Sequence, residues 1–182
     1  MRVAPAKLMD IHHVVSRMRE ADRREVMAGR FEDSDSGLID DLYVARELCF
    51  ALLCLFTDDQ TPVAIIGGRL RWPGVAGILM IATDDWPKIA RAATRWVARV
   101  AIPKIVDPVC HRSQCEAWEG NLVTMRWLSR LGYRVEGQLE AYGKNREGFL
   151  QYARLRPETT LHAPSSVQIE EKRTACSPAP SL

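Results

Sequence analysis

A chain of 182 residues, 47% hydrophobic and 26% charged, has the size and composition of one globular domain with a core of its own. Its formal charge of +2 is too small to argue by itself for a nucleic-acid partner. The longest apolar run, Leu48 to Phe56, is far short of a membrane span. The five cysteines, Cys49, Cys54, Cys110, Cys115 and Cys176, are an odd number, and the N-terminus carries no targeting pattern. They read as reduced thiols in an intracellular compartment.

Arg2 to Ala6 alternates weakly and contains Pro5, which suits an edge strand because proline cannot donate to a ladder. Leu8, Ile11, Val14, Val15 and Met18 follow helical spacing. Asp22 with Glu25 three residues on reads as a capping box that opens a second helix running to about Ala28. Arg30 to Gly37 is a polar loop, and Leu38 to Glu47 is helical again. Cys49 to Thr57 is apolar throughout, as a strand covered on both faces would be. Asp58-Asp59-Gln60 turns the chain into a partner strand, Pro62 to Leu70, in which Gly67-Gly68 suggests a bulge. Trp72-Pro73-Gly74 turns it again into Gly77 to Ala82. Three antiparallel strands in a row are expected here.

Lys88 to Ala101 reads as a helix capped by Asp84 or Asp85, with Pro87 in the first turn, where its missing N–H costs little. Ile89, Ala93, Trp96, Val97 and Val100 make its apolar face, and Lys88, Arg91, Arg95 and Arg99 a basic stripe opposite. That stripe reads as a wet helix face, with contact to phosphates or to an acidic protein surface as the sharper alternatives, and no aromatic interleaving supports single-strand binding. Pro103 and Pro108 should keep Ile102 to Arg112 from being helical. From Ser113 to Gln138 the punctuation is strand, helix, strand. Asn121 is a good N-cap and Gly132 a left-handed C-terminal stop. Between them Val123, Thr124, Met125, Trp127, Leu128 and Leu131 share one arc. Tyr133, Val135 and Leu139 then fit an extended run. Phe149 to Leu155 supplies a last strand after the turn-rich Gly143 to Gly148.

Beyond Pro157 the composition shifts to Pro, Ser, Thr and Ala without a period. The chain therefore divides into a domain at residues 1–156 and a coreless tail at 157–182, ordered only by a partner. Leu161, Val167 and Ile169 are its candidate anchors. No internal repeat is present. Cys110-His111 with Cys115 lacks the second ligand pair that a zinc site needs, and His12-His13 is distant and adjacent rather than four apart. No metal is expected.

Asn121, Trp127-Leu128 and Leu131-Gly132-Tyr133 resemble the C-terminal half of GNAT-fold acyltransferases. The longer span from Met1 to about Arg156 resembles a family of GNAT-like internal virion proteins of short-tailed bacteriophages. The matching pieces are Met18 to Asp22, Thr61 to Gly68, Ile81 to Asp84 and Asn121 to Tyr133. The resemblance implies an α+β fold, with a mixed, mostly antiparallel sheet of five to seven strands flanked by helices. In the enzymes of that fold a glycine-rich loop and a helix N-terminus bind the cofactor pyrophosphate. The matching stretch here is Thr83-Asp84-Asp85-Trp86-Pro87. It has no glycine, places two carboxylates in the anion position and loses a donor at Pro87. The enzymes also often carry a tyrosine acid four residues before the glycine, and here that position is Leu128. Glu116 and Glu119 lie where a base could sit, but read as solvated.

The resemblance and these two losses lead to a non-catalytic virion protein on a degenerate acetyltransferase scaffold, without cofactor. It is expected inside the head, near the portal or ejection apparatus, and in the host cytoplasm before assembly. Its partners would be portal or internal core proteins, with no membrane and no specific nucleic-acid contact. The alternative is an acetyl-CoA-dependent N-acetyltransferase with an atypical cofactor loop.

Overall fold

The apolar runs on either side of Asp58-Asp59-Gln60 become the middle of a mixed sheet of seven strands in the computed structural model of the chain, which describes residues 1–157. The elements in order are β1 (Arg2–Pro5), α1 (Leu8–Ser16), α2 (Glu20–Ala28), α3 (Asp35–Ala45), β2 (Ala51–Phe56), β3 (Pro62–Trp72) and β4 (Gly74–Ala82). Then come α4 (Trp86–Trp96), running on as π turns over Val97–Val106, β5 (Cys110–Trp118), α5 (Leu122–Arg130), β6 (Arg134–Leu139) and β7 (Phe149–Leu155). Across the sheet the order is β1-β2-β3-β4-β5-β7-β6. Only the β4–β5 pair is parallel.

Side chains alternate across a strand, so neighbouring residues of the central strands enter two different cores. Cys54, Ile65 and Ile81 face the layer formed by α1 and α3, where Ile11, Val14, Val15, Leu38 and Leu42 are buried. Leu55, Ala64 and Ala82 face the layer formed by α4 and α5, against Trp86, Ile89, Ala93, Trp127 and Leu128. Both faces of the sheet are therefore dry in the middle, as the unbroken apolar run at 48–56 requires.

Several local readings change. Gly67 and Gly68 pair in regular register with Leu52 and Ala51 on one side and with Leu79 and Ile78 on the other, so no bulge sits there. They are glycines because of close approach. A Cβ at Gly67 would lie 2.7 Å from Leu52 Cδ1, and one at Gly68 would lie 2.5 Å from the Phe50 ring. The register shifts fall instead at Leu55/Phe56 and Leu70/Trp72.

The second helix starts at Glu20, not Asp22, and Asp22 is buried within its first turn. α3 starts at Asp35, with the Ser34 hydroxyl accepting from Gly37 N–H (3.2 Å). α4 runs past Pro103. A proline ring clashes with the carbonyl four residues back in an α-helix, and the wider π turn moves that carbonyl away. The bond from Asp107 N–H to the Ile102 carbonyl (2.8 Å) spans five residues, as such a turn requires. The α5 caps match expectation: Asn121 Oδ1 accepts from Thr124 N–H (3.3 Å), and Gly132 has φ +85°. The buried arc of α5 is narrower than the spacing suggested, because Val123 is exposed while Trp127, Leu128 and Leu131 are buried.

Candidate functional site

The parallel pair β4–β5 is joined only at one end. Gly74–Gly77 pairs with Cys110–Gln114, and beyond that the two strands have no register with each other. Diverging strands leave main-chain donors and acceptors facing a gap. Such a gap is where an extended ligand could add by backbone hydrogen bonds. Here the chain itself fills the mouth of the gap.

The link between α1 and α2 pairs with the end of β4 through a bridge between Met18 and Thr83. Arg19 N–H donates to the Ala82 carbonyl (2.8 Å), and Ala82 N–H donates to Asp22 Oδ2 (2.9 Å). On the other bank, Trp118 N–H of β5 donates to Glu25 Oε2 (2.9 Å). The Asn121 amide spans the two carboxylates, donating to Asp22 Oδ1 (3.1 Å) and Glu25 Oε2 (3.2 Å). Arg19 completes the cluster with a two-pronged contact to Asp22, at 2.7 and 3.0 Å. Its guanidinium also lies 5.9 Å from the Trp86 ring centroid. Asp22 and Asn121 are buried, so each of these bonds works in a dry setting where charge-assisted pairs are strong.

Behind this cluster lies a cavity of about 310 Å³ that passes between the diverging strands. Its walls include Ile78 and Met80 of β4, Cys115 of β5, Trp127 of α5, and Tyr133, with Glu25 at one side. Burial pushes the Glu25 carboxyl up to about 7, with the Asp22 charge adding to it and the bonds from Trp118 and Asn121 opposing. Burial likewise pushes the Cys115 thiol up to about 12, so it is no nucleophile at neutral pH. The Tyr133 hydroxyl shares a 2.8 Å hydrogen bond with Ser113 Oγ, and burial raises its phenol to about 12.

The stretch expected to meet a pyrophosphate, Thr83 to Pro87, does not fit one. The Trp86 N–H goes to the Thr83 carbonyl (3.0 Å), the Lys88 N–H to the Asp85 carbonyl (2.9 Å), and Pro87 has none. Asp85 stands at the N-cap, but its side chain does not cap; it pairs with Lys88 at 2.8 Å instead. Asp85 N–H is met by the Thr83 hydroxyl (3.3 Å). An entering phosphate would face carboxylate where the helix end would otherwise attract it.

Leu128, at the position of the expected tyrosine acid, is buried in the α4–α5 core with Trp127. Trp127 Nε1–H donates to Thr94 Oγ1 (3.0 Å), and its ring packs edge-on to Trp86 at 5.7 Å. Glu116 is paired with Arg71 (2.9 Å), and Glu119 is exposed. Cys49, Cys54, Cys110 and Cys115 are free thiols. Among the described residues no group of three or more His, Cys, Asp or Glu could hold a metal ion, and no helix is long and apolar enough to cross a membrane. Lys88, Arg91, Arg95 and Arg99 are exposed on α4 and its continuation. Leu161, Val167 and Ile169 lie outside the described residues.

Sequence reasoning missed the Asp22–Asn121–Glu25 cluster. The signal was present, since carboxylates three apart share a helix face. The same spacing is also that of a capping box.

A seven-stranded mixed sheet with one divergent parallel pair and helices on both faces is a GNAT acetyltransferase-like fold. No family model and no curated protein matches the sequence. Solved structures do match. A ribosomal-protein-alanine N-acetyltransferase from Brucella melitensis has TM-score 0.65 at 12% identity, over 86% of this chain and 100% of that one. A spermidine N-acetyltransferase variant from Vibrio cholerae has TM-score 0.64 at 11% identity, over 85% and 95%. A GNAT-family acetyltransferase from Bacillus anthracis has TM-score 0.60 at 15% identity, over 84% and 93%. At such identities the likeness shows the fold alone.

Proposed function

We propose that this chain is a non-catalytic protein on an acetyltransferase-like scaffold, whose work is contact with other proteins. The observation that carries the reading is Asp22 on the Ala82 N–H. The Ala82 N–H, at the mouth of the gap, is held by a buried carboxylate of the same chain. A ligand carbonyl would have to replace an ionised acceptor, whose bond is worth about 1.5–3 kcal/mol, with a neutral one worth about half that. The occupied donors at the start of α4 act in the same direction. The sequence resemblance supports the finer reading, a component of a phage particle taken up near the portal or ejection apparatus. Two experiments test the pair of statements. Incubation with acetyl-CoA and a panel of amines should release no free thiol above background. Mass spectrometry of purified particles should find the chain, and deletion of residues 157–182 should abolish its uptake.

A second reading, an acetyl-CoA-dependent N-acetyltransferase, is favoured by one feature. Glu25, near 7, and the protonated Tyr133 line the same cavity, as a base and an acid would. Thiol release that is lost in Glu25→Gln would select it.

A further inference from the structure

The modest overall charge conceals a separation of charge across the sheet. The helical segment at residues 8–45, on one face, contains nine carboxylates and five arginines. On the other face, Trp86–Val106 and Leu122–Arg130 together contain seven cations and no carboxylate. These are Lys88, Arg91, Arg95, Arg99 and Lys104 on the long helix, with Arg126 and Arg130 on α5. All seven are exposed. Among the described residues only Lys88 has an ion-pair partner, Asp85. The two helices are joined side by side through Trp127 to Thr94 and Trp86, so their cations belong to one rigid surface.

The spacing of the cations follows the pitch of the helix that carries them. Along the α-helical part they recur at steps of three and four residues, which keeps them on one side. Where the helix widens into π turns, the step from Arg99 to Lys104 is five, the hydrogen-bond span of such a turn and roughly 50° past one full turn of it. Lys104 would fall nearly opposite on a continued α-helix, and the wide turns bring it back towards the side of the row. The row from Lys88 to Lys104 is then about 24 Å long at 1.5 Å per residue, somewhat less through the π turns.

The same surface is poor in what a protein or a bilayer would need. No large apolar side chain is exposed between residues 86 and 106, and on α5 those that are exposed, Leu122 and Val123, stand in its first turn. Protein interfaces bind through buried aromatic and apolar anchors, and amphipathic helices enter membranes through an apolar face. A row of arginines and lysines without either is suited to phosphates, whose neutralisation supplies affinity by counterion release. We propose that the outer face of α4, its π continuation and α5 binds the phosphate backbone of nucleic acid without reading its sequence.

The test is fluorescence anisotropy of the full chain with a labelled 20-base-pair duplex of arbitrary sequence, at 50 and 200 mM NaCl. Contact with about four phosphates predicts binding that weakens about 100-fold between the two salt concentrations. The variant Arg91→Gln/Arg95→Gln/Arg99→Gln should bind at least about 10-fold more weakly at 50 mM and lower the salt slope by about 3. Arg17→Gln/Arg24→Gln, on the opposite side, should bind as the parent does, with thermal melts confirming that both variants are folded. No binding at 50 mM, or equal binding by the triple variant, overturns the proposal. Binding to phosphatidylserine vesicles or to polyglutamate but not to the duplex also overturns it, and assigns the face to a membrane or an acidic protein.

Discussion

The substitution Asp22→Ala tests whether the buried cluster holds α2 in the gap. Asp22 is 2% exposed, and its carboxylate accepts from Arg19 (2.7 and 3.0 Å), Ala82 N–H (2.9 Å) and the Asn121 amide (3.1 Å). Removal strands three donors at once. The guanidinium is the costliest, because the Arg19 side chain is only 12% exposed and cannot recover full hydration. Breaking a buried pair by deleting one partner costs about 3–5 kcal/mol. That is a large part of a domain's usual 5–15 kcal/mol, and at about 2–4 °C per kcal/mol it lowers the melting temperature by roughly 6–20 °C. Asp22→Asn keeps an acceptor for Ala82 but loses the charge, so it should fall between parent and alanine variant. Urea unfolding followed by tryptophan fluorescence measures both, since Trp86 and Trp127 sit in the adjoining core. A loss below about 1 kcal/mol for Asp22→Ala would refute the cluster as the element that closes the gap.

The Glu25 carboxyl keeps a proton in the folded state between its ordinary 4.5 and about 7, where the unfolded chain has lost it. Stability should therefore fall as pH rises through that window, by on the order of 3 kcal/mol at most, and Glu25→Gln should flatten the slope; identical profiles for parent and variant would contradict this. His13, whose pKa burial lowers from its ordinary 6.5, works in the opposite sense below that value, which is why the comparison with Glu25→Gln is the informative one. Leu128→Ala should cost about 2–5 kcal/mol by leaving a cavity against Trp127, and an unchanged melting temperature would mean that α5 does not pack as described. Gly132→Ala meets nothing within 4 Å at φ +85°, so its cost should be the backbone strain alone, about 1–2 kcal/mol by chemical denaturation; a larger loss would point to a contact not seen here.

Much of the fold was legible because its signals are local. The unbroken apolar run at 48–56, the punctuation of Asn121 and Gly132, and the turn at Trp72-Pro73-Gly74 each place an element without reference to the rest. The sheet order was not legible, since β7 inserts between β5 and β6 through pairings that no local pattern specifies. The candidate site was hidden for the same reason. Asp22 finds its partners 60 residues away at Ala82 and 99 away at Asn121, so its role as a plug exists only once the strands have diverged. Read locally, Asp22 and Glu25 satisfy a capping pattern equally well. Pro103 misled in the other direction, because an α-helix would end there and the π turns let the helix continue, carrying Lys104 back towards the side of the basic row.

Isothermal calorimetry of the full chain with acetyl-CoA at physiological salt tests the central claim most directly. With Asp22 on Ala82, Glu25 on Trp118 and Asp85 at the head of α4, no binding heat is predicted up to millimolar ligand. A saturable isotherm with micromolar affinity, about −8 kcal/mol, would contradict the account and make the acetyltransferase reading the correct one.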